Sequence, residues 1–257
     1  MKWLLLCFVF ISSTLSYSQG ISLFNIDASN FPTMKAKFYA YDKDGKPLRP
    51  SMNEVKLKED GENRSITRIN CPSSGPQPIS VGIMVDTYGF LDLARSGAKR
   101  LIEYMNMPKD ELAITYMDHA ALLHQSFTND KNKAISSSST IPKAPGYAAV
   151  QQMFFSEITG GVQLIKTRLN NKKVLILLSD LHCPNLSVDT ARLFREAAQH
   201  NICVFPVLLR TTDYTGLFKA IAQKTGGALF EGITKDDQIY NIFQLISGMA
   251  RFGDCEI

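Results

Sequence analysis

From position 79 onward, short apolar runs alternate with stretches whose apolar residues recur at helical spacing. Runs of strand length fall at 79–85, 112–117, 121–127, 173–179 and 202–209, with a short one near 228–230. Between them, 91–105 repeats Ala94, Ala98, Leu101 and Met105 on one face, and 156–169 repeats Ile158, Val162, Ile165 and Leu169. Further helices are predicted over 188–200, 216–224 and 235–251, the last opened by Thr234 and Asp237 as a capping pair. Strands alternating with amphipathic helices predict an α/β fold, a mostly parallel sheet covered on both faces. The two runs on either side of Ala120 are too close for a crossover, so they predict an antiparallel hairpin and mark a sheet edge.

The pattern before position 71 is different. Over 35–69 two Asp-Gly signals, Asp44-Gly45 and Asp60-Gly61, sit between alternating runs and predict antiparallel hairpins in a small β-rich unit, too short to hold a large core of its own. The turn-rich stretch 72–78 then reads as a linker. At the N-terminus, Lys2 precedes a short apolar run over 4–11 and a small polar stretch ending at Ser18. That run is shorter than the ~18 residues of a membrane span and reads as a secretory signal peptide, 1–18. The expected organisation is therefore signal peptide 1–18, β unit 19–71, linker 72–78, α/β domain 79–252 and tail 253–257, possible truncation included.

Charge changes the picture little. The chain has 28 basic and 24 acidic residues; removing Lys2 with the signal leaves 27 against 24. So small an excess, scattered rather than striped, points to no nucleic-acid or other polyanionic partner. Four cysteines remain after export, Cys71, Cys183, Cys203 and Cys255, and an oxidising compartment allows three connectivities if all pair. Cys203 lies in a run that reads as a buried strand, where a free thiol is the simpler state. Cys71 and Cys255 flank the α/β domain and are the favoured bridge, with Cys183 unassigned.

In open α/β sheets ligands sit beyond the carboxyl ends of the strands. Asp86 and Asp180 each follow a strand there, and two such acids can converge on a hard cation or cap the next helices. Three segments in order, Ile-Met-Val-Asp-Thr-Tyr-Gly at 83–89, Val-Leu-Ile-Leu-Leu-Ser-Asp at 174–180 and Phe-Lys-Ala-Ile-Ala-Gln-Lys-Thr-Gly-Gly-Ala-Leu-Phe at 218–230, resemble the signature segments of the von Willebrand factor A family. The resemblance covers about 79–251; the preceding β segment and the flanking cysteines also resemble secreted bacterial members. It implies a doubly wound, six-stranded sheet with a metal-ion-dependent adhesion site at its upper edge: Asp-x-Ser-x-Ser after the first strand, a threonine from a later loop and an aspartate after the fourth.

Asp86 and Asp180 match that set, but the serine positions hold Tyr88 and Phe90, and the threonine loop reads Pro-Lys-Ala-Pro-Gly-Tyr-Ala-Ala at 142–149. Phenylalanine has no ligand atom, and tyrosine carries its oxygen a ring-length too far. Leu181 stands where the family has glycine. Two of five ligands survive, which predicts a degenerate site that is normally metal-free or takes Mg²⁺ or another divalent cation weakly. A remodelled alternative adds His182 to Asp86 and Asp180 for a transition metal. Tyr88, Phe90 and Tyr147, with His182, would form an aromatic partner-binding edge if exposed, or plug the vacated cavity if buried.

Catalysis has little support. Asp86-Thr87-Tyr88 lacks the second carboxylate of a phosphatase-type nucleophile loop, no glycine-rich phosphate cradle or Gly-x-Ser-x-Gly elbow occurs, and His182-Cys183 has no orienting third group. The sequence thus predicts no enzyme and no cofactor. It predicts an exported module in the periplasm, at the cell surface or outside, that binds another protein. A purely structural domain of a larger secreted protein is the alternative.

Overall fold

The computed structural model describes residues 20–42, 46–72, 75–86, 88–143, 149–181, 186–210 and 214–257. Residues 1–18, read as a signal peptide, and Tyr147, His182 and Cys183 lie outside them. The N-terminal part runs β1 (Gly20–Asp27), β2 (Lys35–Tyr41), β3 (Pro47–Leu48), β4 (Leu57–Glu59) and β5 (Glu62–Arg64). Both Asp-Gly signals lie where antiparallel strands meet. The first lies outside the described residues, between the paired β2 and β3; at the second, Asp60 (φ 53°) and Gly61 (φ 85°) turn β4 into β5. Positive φ at both turn residues is what a two-residue hairpin of the right twist needs.

From Ile79 the order is β6 (Ile79–Asp86), α1 (Leu91–Tyr104), β7 (Glu111–Asp118), β8 (Ala120–Thr128), α2 (Lys131–Ser139), α3 (Val150–Phe155), α4 (Gly161–Lys166), β9 (Lys172–Ser179), α5 (Thr190–His200), β10 (Ile202–Leu208), α6 (Thr215–Thr225), α7 (Asp236–Phe252) and β11 (Cys255–Glu256). The central sheet is ordered β10-β9-β6-β7-β8, parallel except for β8. His119, at φ 57°, makes the tight turn from β7 into the antiparallel edge strand β8. Every residue of β6 and β9 is buried, as the uniformly apolar runs require. Alternate side chains serve opposite faces: Val81, Ile83 and Val85 join Ile176 and Phe205 beneath α1 and α7, whereas Met84, Leu175, Leu177 and Val204 pack under α3 to α6.

The structure corrects the sequence reading in several places. Among the described residues the central sheet has five strands, not six; the run near 228–230 is reduced to one bridge, Phe230 against Val207, with hydrogen bonds to Pro206 and Leu208. Of the single helix expected over 156–169 only α4, six residues long, is formed; a turn ending at Gly160 separates it from α3, which closes at Phe155. A Cβ on Gly161 would lie 2.5 Å from the Met84 sulfur, so α4 runs close against the sheet there. Ile158 and Leu169, assigned to its buried face, are exposed; Val162 and Ile165 are buried. At the start of α7 Gln238 reaches back, its Oε1 accepting from the N–H groups of Thr234 and Lys235, while the side chain of Asp237, the expected capping partner, lies outside the described residues.

The smaller sheet is not drawn from the N-terminal part alone. Its order is β1-β2-β11, with β3 beside β2, so residues 253–257, read as a tail, supply a strand. One face of β2, Phe38 and Ala40, packs with Cys255, Leu48, Ile69 and Ile257. The other turns Tyr39 towards Phe24, ring centroids 5.0 Å apart, and both join the main core. Cys71 and Cys255 form a disulfide spanning 184 positions, and Cys203 is a buried free thiol. Beside them Asp254 accepts hydrogen bonds from Tyr39 Oη (2.6 Å) and from Nζ of Lys172 (2.7 Å) and Lys37 (3.2 Å). Burial pushes the Asp254 carboxyl up, but Lys172, Tyr39 and Lys37 together outweigh it and hold the group below its ordinary range. No helix among the described residues is long and apolar enough to cross a membrane.

Candidate functional site

Asp86 ends β6 and Asp180 directly follows β9, and these strands are parallel neighbours, so the two carboxyls meet at the upper edge of the sheet. Both are withdrawn from solvent, Asp86 to 2% and Asp180 to 5% exposure. Neither caps a helix: the residue before α1 is Phe90, and α5 is capped by Asp189, whose side chain accepts from Arg192 N–H.

Asp86 is instead held in a local network. Its Oδ2 accepts from Ser179 Oγ at 2.8 Å, and its Oδ1 from the Tyr88 N–H at 3.2 Å. The Ser179 hydroxyl in turn accepts from the Leu181 N–H at 2.8 Å. Leu181 takes φ 54°, where the family has glycine, and Arg210 Nε donates to the Asp180 carbonyl at 2.7 Å. A Cβ on Gly89 would lie 2.3 Å from Asp180 Oδ2, so the absence of a side chain there lets the carboxyl sit against the loop backbone.

Burial raises the Asp86 pKa most strongly. The Ser179 and Tyr88 donors pull it down, the charge and hydrogen bond of Asp180 push it up again, and the result is about 6. The raised value favours a proton on Asp86.

The described donors do not fit an octahedral cation of the Mg²⁺ type, which wants six oxygens in near-ideal array. Both oxygens of Asp86 are already engaged, and among the described residues no group of three His, Cys, Asp or Glu side chains could hold a metal. Tyr88 and Phe90 are 36% and 37% exposed, so each leaves part of its side chain open to solvent. Tyr147 and His182, the other two residues assigned to this edge, lie outside the described residues. The sequence reading overlooked Ser179, which looked like no more than the last strand residue. The signal was its place immediately before Asp180, where a strand-end hydroxyl reaches the acid of the neighbouring strand.

A mostly parallel sheet covered on both faces, with paired acids at its upper edge, defines a von Willebrand factor A-like fold. No protein-family model matches the sequence, and no curated protein matches it. Solved structures do share the fold. A von Willebrand factor type A protein from Catenulispora acidiphila superposes with TM-score 0.54 at 13% identity, over 90% of this chain and 46% of that one. BatB from Bacteroides thetaiotaomicron gives 0.53 at 15% identity, over 67% and 98%. Proximal thread matrix protein 1 of the mussel byssus, in a structure with a zinc-occupied adhesion motif, gives 0.52 at 13%, over 73% and 49%.

Proposed function

We propose that this chain is an exported, non-catalytic module that binds another protein without a metal ion, through the edge around Tyr88 and Phe90. The observation that carries the reading is the pairing of buried acids with exposed aromatics. Asp86 and Asp180 are turned inward onto each other and Ser179, while the two positions that would complete a cation site present aromatic surface to solvent. Aromatic side chains bury large area at little entropic cost and serve as anchors of protein interfaces. Export is supported by the leader-like residues 1–18 and by the Cys71–Cys255 disulfide, which an oxidising compartment preserves.

Calorimetric titration of the metal-stripped protein with Mg²⁺, Mn²⁺, Ca²⁺ and Zn²⁺, in parallel with Asp86→Ala, tests this. No binding tighter than millimolar is expected for any of the four. Tight binding that disappears in Asp86→Ala would restore metal-dependent adhesion and sink the proposal.

A further inference from the structure

A second surface, at the other end of the molecule, has the makings of a binding site. Ile21, Leu23 and Ile26 of β1, with Phe31 and Met34 in the loop after it, are all exposed, Ile21 to 58% and Phe31 to 77%. Isolated apolar residues on a surface are ordinary, but a contiguous group marks a place that something covers. All of these but Ile21 join Leu57, Ile66 and Ile257 in lining a groove of about 480 Å³ across the outer face of the small sheet, from β1 to the stretch after β5.

Two features say what kind of occupant it suits. The first is backbone. β1 is an edge strand, hydrogen-bonded among the described residues only to β2, and Ser65, Ile66 and Thr67 on the opposite wall make no backbone hydrogen bond to any described residue. Rows of unpaired N–H and C=O groups are templates for an added extended chain. The second is charge. Lys35, Lys58 and Arg64 line the groove against one acid, Glu59, which is tied to Arg64 at 2.9 Å. Lys58 forms no ion pair among the described residues, and Lys35 has Asp27 opposite it in register.

We propose that this groove binds an extended segment of a partner polypeptide in which apolar side chains alternate with carboxylates. The apolar positions enter between β1 and Leu57, the carboxylates meet Lys58 and its neighbours, and the main chain pairs with one of the open edges. A second copy of this chain would set the same cations against one another, and a bilayer would meet the projecting Phe31 while leaving the concave groove unfilled. The site lies beyond the start of β9, at Lys172, whereas Asp180 follows its end, so it is independent of the upper edge.

Two labelled synthetic peptides, one alternating valine with glutamate and one valine with lysine, titrated into residues 19–257 by fluorescence anisotropy, test the proposal. The glutamate peptide is expected to bind and the lysine peptide not. Affinity should fall about tenfold or more in Lys58→Glu and in Leu23→Asp, and stay unchanged in Tyr88→Ser. Lys58 is a solvent-facing side chain, so the first variant keeps the test valid if Leu23→Asp disturbs β1. Absence of binding, equal binding of the two peptides, or binding indifferent to both substitutions overturns the proposal. So does a dimer in sedimentation that Leu23→Asp dissociates, or co-sedimentation with phosphatidylglycerol vesicles that Phe31→Ser abolishes.

Discussion

Asp86 carries a pH dependence whose sign follows from its raised pKa. The folded state holds this proton more tightly than the unfolded chain, so the group's stabilising contribution is full below about pH 4 and lost as pH rises through about 6. A shift of about two units corresponds to roughly 3 kcal/mol over that window. Urea unfolding at a series of pH values should show the decline in the wild type and a flatter profile in Asp86→Asn. Gly89→Ala drives a methyl group into the Asp180 carboxyl and should lower stability by about 1–3 kcal/mol in the same urea series. Tyr88→Ser and Phe90→Ser act on exposed rings, so the denaturation midpoint should hardly change, an effect within about 0.5 kcal/mol each. A large loss would mean that the rings plug a cavity after all. The sequence made Asp86, Asp180 and the aromatic substitutions visible because each stands in a recognisable segment. It could not decide whether the aromatics face inward or outward, since that depends on how the loop after β6 lies over its neighbours.

At the level of elements, β6 and β9 were the easiest to read, because a strand buried on both faces leaves an unbroken apolar run. What escaped were pieces whose reason to exist is tertiary. The serine-rich α2 has almost no apolar stripe and is set by Asp130, whose side chain accepts from the Lys133 N–H, and by the burial of Ala134. The break between α3 and α4 is a turn that closes on Gly160, where a Cβ would lie 2.5 Å from the Ser156 nitrogen, a backbone contact that no periodicity announces. The attachment of α7 was equally hidden: Arg251 forks onto the fully buried Asp110, which also accepts from the Ile79 N–H at 3.1 Å and so ties the last helix to the start of β6. Removing one member of a buried pair strands the other, at a cost of about 3–5 kcal/mol. Asp110→Ala is expected to lose that much in chemical denaturation, and a loss below about 1 kcal/mol would mean that Arg251 finds solvent.

For the whole molecule, the alternation of runs made the α/β class legible, and the flanking positions of Cys71 and Cys255 pointed to their pairing. The shared small sheet was not legible, because β11 is two residues long and its partner lies more than two hundred positions away. Closing so long a loop removes much of the unfolded chain's freedom, worth about 2–5 kcal/mol in measured cases. The double variant Cys71→Ser, Cys255→Ser should lose stability in that range without changing the far-ultraviolet spectrum of the central sheet. The same bond also sets how the protein answers a mechanical load. Tension applied between the end of the N-terminal β unit and the residues after Cys255 passes straight across the disulfide, and the α/β domain hangs from it as an unloaded side loop. Under oxidising conditions the upper edge would keep its shape while the chain is pulled, and reduction would place the whole domain in the line of force.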